Sequence, residues 1–254
     1  MSPVPRPLAE NAGLAFPGEK PWSSAAVTTA QAYSLESARN PTGRPNSDVL
    51  RLFIGCKSGR PREHWQVDFP LHFTEQEANL YVEPGRHLRA QLGAFAGAWW
   101  LNPHANPDLR TAIARLERFL AARLTPPVPA WDWVDSNRLP DDSLLVVARD
   151  DDFIHGLLSS RPFQLWWKQN SREISSAAIV AAFPFPWAPA TTLSALTRIQ
   201  EEQRLEVARA ARGGDSERLN SAVAAAYNWP AGLHDEELLA RVRAEHHRRP
   251  QTGL

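Results

Sequence analysis

The segment FPFPW at 183–187 separates two parts of this sequence that are patterned for different kinds of fold. Each proline keeps the residue before it out of the helical region of backbone space, so the segment predicts a rigid, extended connector. Residues before the connector mix strand and helix patterns, whereas residues from Thr191 onward are patterned for helices alone. The sequence therefore predicts an α+β protein, with a loosely structured lead-in segment over 1–39, a mixed β-containing domain over 40–188 and an all-helical C-terminal module over 189–254.

Three helices are predicted in the C-terminal module. The first carries an apolar stripe and ends at Gly213-Gly214, because glycine readily adopts the conformation that terminates a helix. The second spans 216–228 and stops before Pro230. The third begins at Asp235 and has acidic residues in its first turn and arginines at its end, which is the order that the helix dipole favours.

Local signals in the mixed domain predict shorter elements. WQVDF at 65–69 alternates as a strand does, and Thr74 to Glu77 form the capping-box pattern that begins a short helix. Asn106-Pro107 begins another helix. Its apolar face is predicted to consist of Leu109, Ile113, Leu116 and Leu120. Residues 143–158 predict two strands joined by an acidic turn at Asp150–Asp152.

The segment 39–63 is strongly basic. Its six cations are opposed by two acidic residues only, Asp48 and Glu63. Glycines and prolines punctuate the segment, so it is predicted to be mostly loop around a short apolar stretch, Val49 to Ile54.

Composition excludes several classes of protein. A chain of 254 residues with 43% hydrophobic and 22% charged residues is typical of a globular protein, and its single cysteine, Cys56, rules out a disulfide framework. No apolar run approaches the ~20 residues of a membrane span, and the beginning MSPVPRPLAEN lacks a signal-peptide pattern. We therefore expect a cytoplasmic protein with no membrane partner. The 28 basic and 28 acidic residues exclude a uniformly basic surface but not local basic patches.

Common catalytic motifs are absent from the sequence. There is no glycine-rich nucleotide loop, no HExxH zinc motif and no GxSxG nucleophile motif. The acidic residues at Asp150–Asp152 suit either a Mg²⁺ or Ca²⁺ site or a solvated turn. On motifs alone the chain is predicted to be a binding or structural module.

The order of six segments resembles a known family. The segments are NPTGRPNSDVLR at 40–51, WWLN at 99–102, PDLRTAIARLERFLAARLTP at 107–126, PDDSLLVVARDDDFIHGLLSSRPFQLWW at 140–167, FPFPW at 183–187 and RLNSAVAAAYNWPAGLHDEELLARV at 218–242. Together they resemble the target-recognition domain and C-terminal helical region of class I adenine-N6 DNA methyltransferases. They are similar to the fused Type IIG/IIL restriction–modification enzymes, the MmeI-like family.

The resemblance implies a division of labour. In such enzymes a separate Rossmann-like domain binds S-adenosylmethionine and carries an Asn-Pro-Pro-aromatic motif that accepts a flipped base. The recognition domain contacts phosphates and reads base edges of double-stranded DNA. This sequence has no such motif and no cofactor loop. The resemblance therefore implies a DNA-specificity module with no catalytic, cofactor or metal residues of its own, acting with a separate methyltransferase or nuclease subunit that holds S-adenosylmethionine.

The sequence also departs from the family pattern. Members carry a basic run after the long helix, whereas here Thr125 is followed by PPVPAWDW. Because phosphate neutralisation dominates DNA affinity, this loss leaves a second interpretation open, a remnant that acts as a protein–protein scaffold without DNA readout.

Two groups of cations are the candidate DNA contacts. The first lies in the basic segment and consists of Arg44, Lys57, Arg60 and Arg62. Its arginines either face DNA or pair with the acidic turn. The second group follows the predicted DFIHGLL strand and consists of Arg161, Lys168 and Arg172. The adjacent Trp166 and Trp167 would point to opposite faces on a strand, or both enter the core on a helix.

Overall fold

The computed structural model describes residues 4–93, 97–124 and 128–252. In this part of the chain the strands are β1 Ala15–Pro17, β2 Ala26–Val27, β3 Leu50–Lys57, β4 Arg60–Val67, β5 Arg118–Arg123, β6 Trp131–Asp135, β7 Arg138–Pro140 and β8 Leu144–Val147. The helices are α1 Thr29–Ser37, α2 Glu75–Ala78, α3 Val82–Leu92, α4 Pro107–Ile113, α5 Asp152–Ser159, α6 Arg161–Asn170, α7 Ser176–Ala181, α8 Arg198–Gly213, α9 Ser216–Ala226 and α10 Asp235–His247. The predicted α+β class is confirmed.

The chain forms two compact units, each assembled from separate stretches of sequence. The helical unit comprises Met1–Pro17, Ala112–Val134 and Leu145–Leu254, and the hairpin unit comprises Gly18–Thr111 and Asp135–Leu144. These bounds follow packing and differ from the predicted division at 40–188 and 189–254, which stays a prediction.

The helical unit packs helices on a four-stranded sheet. The strand order is β1-β8-β5-β6, and β1 runs antiparallel to β8 with Ala15 opposite Val147. Helix α5 packs closely against α8 and α9, because a Cβ at Gly156 would lie 2.8 Å from a methyl carbon of Val207 and 3.2 Å from one of Leu219. The first and last described segments also meet, since Leu8 bridges to Gln251.

The hairpin unit is built around the two longest strands. Its sheet has the order β2-β4-β3-β7, with β3 antiparallel to β4 and parallel to β7. One buried cluster on this sheet is rich in aromatic side chains, among them Trp22, Phe69, Tyr81 and Trp99. Phe69 meets both Tyr81 and Trp99 edge to face, an arrangement that aromatic rings prefer.

Several predicted elements are confirmed. The capping box at Thr74 and Glu77 begins α2, and the three C-terminal helices begin and end close to the predicted residues. The FPFPW connector lies outside helices and strands, and Phe183 and Phe185 are fully buried. A hydrophobic anchor therefore fixes this connector in the core.

The second strand predicted within 143–158 is wrong. Residues 144–147 form β8, but DFIHGLL lies in α5. Asp151 caps this helix, because its Oδ1 accepts a hydrogen bond of 2.9 Å from the Ile154 amide. The buried positions 153, 154, 157 and 158 follow helical spacing. Trp166 and Trp167 are accordingly in a helix, α6, and both are buried.

Three further predictions of local structure are wrong. The helix that begins at Pro107 ends at Ile113, and Leu120 lies in a buried strand, β5. Residues 50–63 of the basic segment belong to a long β-hairpin rather than to a loop, whereas the part before residue 46 lies outside helices and strands. The lead-in is ordered, since Thr28 and Gln31 form a capping box that begins α1. Tertiary packing overrides the local pattern at each of these places.

None of the helices in the described ranges is long and apolar enough to cross a lipid bilayer.

Candidate nucleic-acid interface

The hairpin of β3 and β4 ends in a two-residue turn, Ser58-Gly59. Both residues have positive φ angles, 51° and 77°. This conformation matches the twist of the flanking strands and lets them pair in register up to Lys57 and Arg60. Glycine supplies the second position without strain, and the turn therefore projects a regular two-stranded ribbon.

One face of the ribbon tip carries three basic side chains. Lys57 is directly opposite Arg60, and Arg62 shares their face because strand side chains alternate with period two. All three side chains are exposed. Within the described ranges none of them has a carboxylate partner. The acidic residue of this strand, Glu63, points to the other face and pairs with Arg138 at 2.6 Å. We call Lys57, Arg60 and Arg62 the tip cations.

The inner part of the same face is neutral and packed. Phe53 is fully buried and stacks on His64 with ring centroids 5.5 Å apart. Burial lowers the pKa of His64, and the neighbouring positive charge of Arg62 lowers it further. The imidazole is therefore neutral at pH 7, so the positive charge of this face belongs to the tip cations.

Close backbone approach anchors the ribbon opposite Arg62. Gly55 is the cross-strand partner of Arg62, and a Cβ at Gly55 would overlap the carboxylate of Asp141. The Asp141 amide donates a hydrogen bond of 2.7 Å to the Ile54 carbonyl. The absence of a side chain at Gly55 thus makes room for the Asp141 carboxylate on this part of the ribbon.

A buried charge cluster holds the base of the ribbon. Arg110 of α4 donates hydrogen bonds of 2.7 Å to both carboxylate oxygens of Glu19, and bonds of 2.8 and 2.9 Å to those of Asp68, the residue after β4. Burial alone would lower the pKa of Arg110, but hydrogen bonds to Glu19 and the charge of Asp68 raise it above its ordinary value. Arg110 therefore clamps Glu19 and Asp68 together from helix α4. The apolar pattern that predicted this helix did not indicate such a role.

The structure separates Arg44 from the tip cations. Arg44 is exposed in the loop before β3, at the opposite end of that strand from Lys57. Its carbonyl accepts a hydrogen bond of 2.8 Å from Asn40, and its guanidinium lowers the pKa of nearby Tyr81, against the larger raising effect of burial. Of the four candidates in the basic segment, three are thus brought together.

The second candidate group lies on and after α6 in the helical unit. Arg161 and Lys168 are seven residues apart, so they share one face of the helix. The Nε of Arg161 lies 2.6 Å from the Oδ1 of Asp235, and its amide donates to Asn220. Lys168 and Arg172 are exposed, and no carboxylate in the described part of the chain pairs with either. All three stay predictions as DNA contacts.

Two of the three acidic residues 150–152 form ion pairs within the helical unit. Asp152 pairs with both Arg118 and Arg212 at 3.1 Å, and Asp151 caps α5 while pairing with Arg149. The carboxylates of Asp151 and Asp152 are therefore neutralised by arginines outside the basic segment. Across the described residues, no group of three or more histidine, cysteine or acidic side chains is arranged to hold a metal ion.

Two features of the sequence indicate this site. Ser-Gly between two eight-residue runs is a turn signal, and polar residues alternate along RPREHWQV. The pairing of Glu63 with Arg138 could not be predicted from the sequence, because the two residues lie on strands that are distant in sequence. Thr125, at which the family's basic run is missing, lies outside the described residues.

Comparison with known proteins shows a similarity in fold to a solved structure. No protein-family model matches the sequence, and no curated protein does. Among solved structures, the fold is similar to that of the Type IIL restriction–modification enzyme MmeI in complex with DNA, with a TM-score of 0.54 at 14% identity. The alignment covers 97% of this chain and 36% of the MmeI chain, so this chain spans about a third of that protein.

Proposed function

We propose that this chain is the DNA-recognition module of a restriction–modification system and binds double-stranded DNA sequence-specifically. The observation that carries the proposal is the face formed by Lys57, Arg60 and Arg62, three exposed cations without a carboxylate partner in the described ranges. The similarity to an enzyme whose structure was solved with DNA supports the same assignment.

The arrangement of the tip cations favours an anionic partner. Lys57 and Arg60 are like charges directly across the ribbon, which destabilises a hairpin by roughly 0.2–1 kcal/mol in the absence of a counter-charge. A DNA phosphate would relieve this repulsion. A two-stranded ribbon also fits the major groove, where an arginine fork can bind the O6 and N7 atoms of guanine.

Methyl transfer is assigned to another part of the system. The sequence lacks an Asn-Pro-Pro-aromatic motif and a glycine-rich cofactor loop. We therefore propose that a separate methyltransferase or nuclease subunit supplies the catalytic residues and binds S-adenosylmethionine. In this division the present chain selects the DNA site and the partner modifies or cleaves it.

The decisive experiment measures duplex binding as a function of salt. Replacing Arg60 and Arg62 together with alanine removes two phosphate-neutralising groups, so the salt slope should fall by about 1.8, at about 0.9 per contact. The matched control replaces Arg86 and Arg198, which are exposed but already paired with Glu83 and Glu202. The control variant should retain the wild-type slope.

Two duplexes of unrelated sequence separate base reading from phosphate contact. A phosphate-binding arginine weakens both duplexes equally, whereas a base-reading arginine changes the preference by roughly 1–3 kcal/mol. If wild-type protein shows no salt-dependent duplex binding, the scaffold interpretation replaces this proposal. Unchanged affinity in the Arg60 and Arg62 variant would remove the ribbon tip from the interface.

A further inference from the structure

A small polar pocket lies on the helical unit where α5, α6, α9 and α10 meet. It has a volume of about 300 Å³. Polar groups reach it from all four helices: Ser159, Arg161, Lys168, Ser216, Asn220 and Asp235. This size is at the lower end for small-molecule sites, so the pocket suits a compact group.

Hydrogen-bond donors dominate among these groups. The Oδ1 of Asn220 accepts a bond of 2.9 Å from the Arg161 amide, which leaves the Nδ2 of Asn220 as a donor. The hydroxyls of Ser159 and Ser216 are groups that can donate as well. The Lys168 ammonium is exposed at the pocket and has no carboxylate partner among the described residues.

The charge balance of the pocket is positive. Its acidic lining residue, Asp235, is engaged at 2.6 Å by the Nε of Arg161. The guanidinium retains donors on its two terminal nitrogens, because the described bonds of its side chain use Nε alone. With the Arg161–Asp235 pair neutral, Lys168 contributes a net positive charge that nothing in the pocket offsets.

From these contacts we propose that the pocket binds a phosphate group, with Lys168 as the point charge and Arg161, Asn220 and the serine hydroxyls as donors. A lysine ammonium binds phosphate as a compact charge, and bonds to a charged acceptor are stronger than neutral ones. The phosphate is either free or part of a DNA backbone. Phosphate binding itself does not depend on the proposed function, whereas assignment to a DNA phosphate does.

Titration of the whole chain with inorganic phosphate at constant ionic strength tests the pocket. Wild-type protein should bind phosphate saturably, and Lys168→Ala should weaken binding by about tenfold through the lost charged hydrogen bond. Lys20→Ala is the matched control, an exposed lysine on the hairpin unit, and should leave phosphate affinity unchanged. Asp235→Asn should tighten binding, because it removes the acid that competes for Arg161.

Duplex titrations with the same variants identify the source of the phosphate. A DNA phosphate in the pocket predicts that Lys168→Ala lowers the salt slope by about one on two unrelated duplexes alike. An unchanged duplex slope with lost inorganic phosphate binding assigns the pocket to a free phosphate. Absence of saturable phosphate binding, or equal losses in Lys168→Ala and Lys20→Ala, would overturn the pocket. Failure of wild-type protein to bind duplex would overturn the proposed function alone.

Discussion

Replacing Arg110 with methionine tests the charge clamp at the base of the ribbon. Methionine fills a similar volume but leaves Glu19 and Asp68, whose side chains are 0% and 3% exposed, without their partner. Removing one partner of a buried ion pair costs roughly 3–5 kcal/mol, because the remaining charge stays desolvated. Adding the four charged hydrogen bonds at about 1.5 kcal/mol each would give a larger loss of stability than this. Contributions within one cluster are not additive, however, so we use the lower figure.

A loss of about 4 kcal/mol is large for a folded domain, whose whole stability is about 5–15 kcal/mol. For a chain of this size it corresponds to a fall in melting temperature of about 8–16 °C. Thermal unfolding followed by far-ultraviolet circular dichroism, and urea unfolding followed by tryptophan fluorescence, both measure the change.

Two further variants make the Arg110 measurement interpretable. Arg115→Met removes an exposed arginine close in sequence and should change stability by less than about 0.5 kcal/mol. Glu19→Gln in the Arg110→Met background should restore part of the loss, because it replaces a buried unpaired charge with a neutral amide. Equal, small effects of the two methionine variants would refute the clamp as a stabilising cluster.

Two other predictions concern packing and cofactor binding. Gly156→Ala places a Cβ 2.8 Å from Val207 and should destabilise the helical unit by about 1–3 kcal/mol despite the better helix propensity of alanine. Thermal unfolding should show no such loss for Gly213→Ala, where the added Cβ meets no neighbouring atom. Calorimetry with S-adenosylmethionine should detect no binding to this chain, and micromolar affinity would contradict the assignment of methyl transfer to a separate subunit.

Sequence patterns predicted best where local chemistry decides the structure. The helix beginnings at Thr74 and Asp235 and the glycine end of α8 follow from capping and charge within a few residues. The strand β5 was missed because FLAA is apolar throughout, and such a run fits a buried strand and a buried helix equally well.

The candidate site shows the same limit. The tip cations were identified as basic residues in a glycine- and proline-rich segment, but their common face depends on the register between β3 and β4. The Asp235 partner of Arg161 lies 74 residues away in sequence, so no local pattern could indicate that this cation is already paired. The sequence shows which side chains are charged, whereas the residues that neutralise them are known only from the fold.

The interleaved construction of the two units has a consequence for how the chain folds as it is synthesised. All residues of the hairpin unit have been synthesised once Leu144 has left the ribosome. Strand β1 of the helical unit precedes them in the sequence, but its partner β8 is synthesised after them. The bridge between Leu8 and Gln251 joins the earliest described segment to the latest. The helical unit therefore needs residues from both segments, and proteolytic loss of either segment would deprive the other of its partner.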